Sequence, residues 1–117
     1  MLPLKRARTQ SIEGLGSATR ANVEAKKELA RRLLEGKGVE KNEGKAVSLL
    51  DDCVVLGDAD AMLMLAKCCA LGLGMERDAE RAEALISESA DNGNGEAREL
   101  LKLISESKRA GIVLNGS

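Results

Sequence analysis

Two glycine-punctuated stretches, Gly36-Lys37-Gly38-Val39 and Gly72-Leu73-Gly74-Met75, stand 36 residues apart, and that offset organises most of the chain. Ala25, Leu29, Ala30, Glu40, Ala46, Leu49 and Gly57 recur as Ala61, Leu65, Ala66, Glu76, Ala82, Leu85 and Gly93. Other pairs are conservative, among them Asn22/Asp58, Arg31/Lys67, Asn42/Asp78, Lys45/Arg81 and Leu50/Ile86. A third copy opens with Asn94, Ala97 and Leu101 and stops halfway. Self-similarity at a fixed period of this length marks a stacked-repeat protein, whose units hide their apolar faces only against each other.

Within each copy the spacing is helical. Ala25, Leu29, Ala30 and Leu33 fall on one face of a helix. Asn22, Asp58 and Asn94 each stand where such a helix starts, with side-chain oxygens suited to the free amides of a first turn. Gly36 and Gly72 stand where it ends, because the residue past a helix often needs positive φ. This predicts a first helix, helix A, over 23–35, 59–71 and 95–107. A second, helix B, is capped by Asn42 or Asp78, carries Glu43 or Glu80 in its first turn and ends before Gly57 or Gly93. Its apolar face is Ala46, Leu49, Leu50 and Cys53 in one copy, and Ala82, Leu85, Ile86 and Ala90 in the next. No strand pattern appears. The expected fold is all-α, a right-handed α-solenoid of antiparallel helix pairs with about two and a half repeats, helix A on the concave side. Residues 1–21 are expected to be a disordered or partly ordered basic leader, with 1–17 mostly disordered. Repeats occupy 22–57 and 58–93 with a half repeat at 94–107, and 108–117 is a tail.

Composition narrows the function. Lys plus Arg total 18 against 19 Asp plus Glu, a balance that argues against a general nucleic-acid binder. The first 32 residues nevertheless carry +5 and the remainder −6. Phe, Trp and Tyr are absent, so the core must be aliphatic and small. Three cysteines, two of them adjacent, do not make a disulfide framework and fit a reducing, cytoplasmic setting. Met1-Leu2-Pro3-Leu4-Lys5 is not followed by the apolar run of a signal peptide, and the most apolar stretch, Ala59 to Met75, is too short to be expected to span a bilayer.

The run Ala61-x-x-x-Leu65-Ala66-x-x-Cys69-x-x-Gly72-x-Gly74-Met75-x-x-Asp78-x-x-Arg81-Ala82-x-x-Leu85-x-x-x-Ser89-Ala90-x-x-Gly93 closely resembles the Sel-one-like repeat (SLR), a relative of the tetratricopeptide repeat. Ala25 through Gly57 match as well. The family usually has Tyr where Leu33 and Cys69 stand, and Trp or Tyr where Leu49 and Leu85 stand. The resemblance implies an adaptor or scaffold in assembling protein complexes, often in signalling or protein quality control. It also admits a regulatory fragment of a larger enzyme such as a kinase. A hydrolase activity like that suggested for cysteine-rich bacterial relatives lacks the paired cysteine in each repeat.

The candidate binding residues lie on helix A. The middle copy, Met62-Leu63-Met64-Leu65-Ala66-Lys67-Cys68-Cys69-Ala70-Leu71, has one charge, where the first copy has Lys26, Lys27, Glu28, Arg32 and Glu35 facing water. Met62, Leu63, Met64, Cys68 and Leu71 therefore make either a methionine-lined docking patch or extra core in a helix with neighbours on both sides. With the charges around them, the partner-binding candidates are Asp60, Met64, Lys67, Cys68, Leu71, Glu28 and Arg31, taking a protein or peptide. Glu96, Arg98, Glu99, Lys102 and Glu106 give the last helix a polar outer face that can close the stack. No such cap is evident at the other end, which leaves room for continuation into a longer solenoid or for self-association. Arg6-Ala7-Arg8-Thr9-Gln10-Ser11-Ile12 makes Ser11 a candidate for a basophilic kinase.

Other chemistry finds no support. The glycine pairs lack the third glycine of a dinucleotide fingerprint, with Lys41 and Arg77 in its place. The chain has no His, so Cys53, Cys68 and Cys69 do not complete a four-ligand zinc site. Asp51 and Asp52 have no partner base to suggest catalysis. No catalytic residue, metal or cofactor is expected. The apolar tag Ala110-Gly111-Ile112-Val113-Leu114 is expected to fold back or dock elsewhere.

Overall fold

The computed structural model describes residues 17–111, which form five helices and no strand. They are α1 (Ser17–Glu35), α2 (Glu43–Val55), α3 (Ala59–Leu71), α4 (Ala79–Asp91) and α5 (Gly95–Arg109). Each packs on the next in chain order, so α1/α2 and α3/α4 are the two helix pairs and α5 is the half repeat. The architecture is an all-α helical-repeat solenoid.

The turns repeat as faithfully as the sequence does. After α1, Gly36 N–H donates to Arg32 O at 2.7 Å and Asn42 N–H donates to Leu33 O at 2.9 Å. After α3, Gly72 N–H donates to Cys68 O at 2.8 Å and Asp78 N–H donates to Cys69 O at 2.8 Å. Gly72 closes α3 at φ 73°, in the left-handed region that residues with a Cβ rarely adopt. The caps are made by Asn42, Asp58, Asp78 and Asn94, whose side chains accept from Lys45, Ala61, Arg81 and Ala97 N–H respectively.

Asn22 does not cap a helix. It lies inside α1, which starts at Ser17. Gly57 and Gly93, at φ 87° and 101°, break the chain just before Asp58 and Asn94, whereas Ala21 precedes Asn22 and lets the helix continue. For the same reason α5 runs two residues past the expected 107, since Lys108 stands where its counterparts have glycine.

The core runs along the seam between the helix pairs. Val23, Leu50, Cys53, Leu65, Cys68 and Cys69 are its fully buried centre, and Ala30, Ala46, Ala66 and Ala82 let the helices approach. A smaller cluster, Leu63, Ala90 and Ala97, joins α3, α4 and α5. Ser89, also fully buried, donates to Ala59 O at 2.7 Å and ties α4 to the start of α3. Ala25, expected on the apolar face, is exposed while its counterpart Ala61 is buried, because α3 is packed on both sides and α1 is not.

Candidate protein-interaction surface

The outward face of helix A is built from four rows at the 36-residue offset: Glu24, Asp60 and Glu96; Glu28, Met64 and Leu100; Arg31, Lys67 and Leu103; Glu35, Leu71 and Ser107. Within each helix these residues are spaced four, three and four apart, one stripe of the cylinder. All are exposed except Met64, Leu100 and Ser107, which are half-buried. Of the expected site residues, Glu28, Arg31, Asp60, Met64, Lys67 and Leu71 share this face. The first row is acidic throughout. The apolar side chains gather at the opposite corner, where Leu71 is 68% and Leu103 57% exposed.

Cys68 is not on this face. It is 1% exposed in the main core, and Met62 and Leu63 are buried as well. The central helix α3 is packed between α2 and α4, so its surplus apolar residues supply packing. Burial, with smaller contributions from Cys69 and Glu43, pushes the Cys68 thiol up to about 11. Burial also raises Cys53 and Cys69. All three thiols are free, and Cys69 Sγ lies 3.5 Å from Met75 Sδ. Among the described residues no group of His, Cys, Asp or Glu is arranged to hold a metal ion. No described helix is long and apolar enough to cross a membrane.

Lys27, expected to face water, is instead the ionic centre of the stack, its side chain 5% exposed. Its ammonium lies 2.9 Å from Glu24, 3.1 Å from Asp58 and 3.4 Å from Asp60. Burial by itself pulls its pKa down, but the hydrogen bonds to Glu24 and Asp58 and the charges of Asp58 and Asp60 outweigh it and leave the pKa raised. Asp60 in turn accepts from Asn94 Nδ2 at 2.7 Å, so a polar chain crosses α1, α3 and α5. Lys67 reaches Glu96 at 3.0 Å, while Glu28 pairs with Arg31 and Arg32. The only sequence signal for the Lys27 hub is the acidic row at the 36-residue offset. The polar outer face of α5 stands as expected, with Glu96, Arg98, Glu99, Lys102 and Glu106 all exposed. Ser11 and the apolar residues Ile112, Val113 and Leu114 lie outside the described residues.

The model of the Sel1 repeat matches residues 23–51 and 59–94, which include the rows on α1 and α3 and both glycine turns. The chain belongs to the Sel1 repeat family. Sel1 repeat chains are helical-repeat scaffolds that mediate protein–protein interaction. Among solved structures, a Sel1 repeat protein from Oxalobacter formigenes is 28% identical with a TM-score of 0.64, over 68% of this chain and 60% of that one. The protective antigen c5321 of uropathogenic Escherichia coli, which displays an SLR fold, is 30% identical with a TM-score of 0.67, over 80% of this chain and 20% of that one. Cysteine-rich protein B of Helicobacter pylori shares the fold at 23% identity and a TM-score of 0.63, over 68% of this chain and 59% of that one. The Sel1 repeats here thus span about three fifths of two of these proteins and one fifth of the other. No curated protein matches the chain in sequence.

Proposed function

We propose that this chain is a non-enzymatic adaptor module that binds a protein or peptide through the helix A face bearing Glu28, Arg31, Asp60, Met64, Lys67 and Leu71. The observation that carries the reading is the solvent exposure of Leu71 and Leu103 on one continuous face whose charges are ordered by cross-helix pairs. Large apolar side chains grouped on a rigid surface mark an interaction site, while singly scattered ones need no explanation. The ion pairs hold the face in one shape, which lowers the ordering cost of binding.

The test is co-precipitation with the intact protein and with Met64→Lys, followed by identification of the bound chains. Partners retained by the native protein and lost from a variant of unchanged helical circular dichroism support the reading. An identical set on both overturns it. Loss of helicity in the variant assigns Met64 to the core, and Leu71→Lys, at a fully wetted position, then decides.

A further inference from the structure

Four carboxylates, Glu24, Asp58, Asp60 and Glu96, line the acidic edge of the helix A face against two ammonium groups, Lys27 and Lys67, so the edge holds two negative charges in excess. The excess is presented outward. Lys27 is sequestered beneath it, while the Glu24, Asp60 and Glu96 side chains are 65%, 64% and 62% exposed. A carboxylate offers about four acceptor sites, and each of these three spends only part of that capacity on its partner in the fold. The edge therefore has fixed geometry and unspent capacity for a further cation.

The opposite corner has the complementary chemistry. The Lys67–Glu96 pair bridges α3 and α5. One turn past Lys67 on α3 stands Leu71, and in the Lys67 row of α5 stands Leu103, so two exposed leucines flank this bridge. Asp60 and Leu71 are eleven residues apart on α3, which at about 1.5 Å per residue separates the acidic edge from the apolar corner by about 16 Å.

From this arrangement we infer that the face takes a short peptide segment of another protein carrying a Lys or Arg and a large aliphatic residue about 16 Å apart. In an extended backbone that distance is about five residues. The cation sits among Glu24, Asp60 and Glu96, and the aliphatic side chain covers Leu71 and Leu103. The inference rests on the helix A face being the binding surface and adds the chemistry and spacing of what it holds. Charge complementarity selects this occupant over a second copy of the chain, whose own helix A face would set acidic edge against acidic edge or apolar corner against acid.

The probe is a synthetic ten-residue peptide with two arginines followed, five positions on, by two leucines, too short to be helical by itself in water. Binding is followed through amide chemical shifts of the full chain and by fluorescence anisotropy. Shifts confined to the first turns of α3 and α5 and to the surroundings of Leu71 and Leu103 are expected, with affinity falling at least about fivefold between 50 and 500 mM salt. Leu103→Ser and the pair Glu24→Gln/Asp60→Asn should each weaken binding about tenfold. Glutamates in place of the arginines, or a spacing shortened to two, should abolish it. The inference is overturned if those control peptides bind equally, if the variants bind as the native chain does, or if sedimentation shows the face covered in a dimer that Leu103→Ser dissociates. Failure of every peptide while Met64→Lys still releases a natural partner overturns the peptide chemistry and leaves the adaptor reading standing. If that variant releases nothing either, both fall.

Discussion

The backbone of Gly74 rests on the first turn of α2, so close that a Cβ placed there would overlap the Glu43 carbonyl and stand 2.9 Å from Gly44 N. That contact joins the turn of the second repeat to the second helix of the first. Its counterpart Gly38 shares the positive φ but has open space, the nearest atom being an Arg32 nitrogen at 3.9 Å.

The two glycines should therefore respond differently to one substitution. Gly38→Ala bears only the left-handed backbone penalty, about 1 kcal/mol. Gly74→Ala bears the same penalty and must also push the turn off the first turn of α2, about 2 kcal/mol more. Urea midpoints of the two variants separate the contributions, and equal losses would remove the Gly74–Glu43 contact from the account.

Lys27→Met should destabilise the stack by about 2 kcal/mol, because it removes charge-assisted hydrogen bonds to Glu24 and Asp58 and leaves the acidic edge unbalanced. The pH dependence has a definite sign. The ammonium's pKa is raised by folding, so its contribution is complete below the ordinary value near 10.5 and is lost as pH rises through the folded value. The stability gap between native and Lys27→Met chains should be flat from about pH 7 to 10 and shrink above that. A gap unchanged at pH 11.5 would refute the ion-pair account.

Cys53, Cys68 and Cys69 are buried, with thiols raised by that burial, Cys68 to about 11. Since the thiolate is the reactive form, a colorimetric disulfide reagent at pH 8 should label the native protein only as fast as it opens. In guanidinium all three should react at once. Rapid labelling of any of them under native conditions would mean that the seam between the helix pairs is open.

Leu65→Ala should cost about 3 kcal/mol, as it leaves a cavity at the centre of a core with no aromatic side chain to relax into it. Leu103→Ser, on the open corner, should change stability by less than about 0.5 kcal/mol. Thermal or urea unfolding of the pair measures the contrast, and it also establishes that Leu103 is free to serve binding.

The repeat offset and the glycine turns were legible from residues alone, and with them α3 from 59 to 71 and the caps Asp58, Asn94, Asn42 and Asp78. These are local: a cap bonds three residues ahead, and a left-handed turn needs its glycine wherever it sits. The start of α1 was misread because matching Asn22 to Asp58 overlooked the glycine before Asp58 and the alanine before Asn22. Six of the seven proposed binding residues do share one face, since a helical stripe follows from spacing. Cys68 does not, and Lys27 was placed in water when it is the ion at the centre of the stack.

Both misplacements have one physical cause. The sequence by itself determined which residues form each helix, where the chain turns and which stripe every helix presents, because those depend on neighbours a few positions away. Only the tertiary structure decided which stripe is covered. A lysine is buried when carboxylates from the next repeat close around it, and a cysteine when helices enclose its own on both sides. The lysine's carboxylates stand 31 and 33 residues away in sequence and the cysteine's enclosing helices lie beyond the turns at either end of its own, at offsets set by how one helix pair leans on the next.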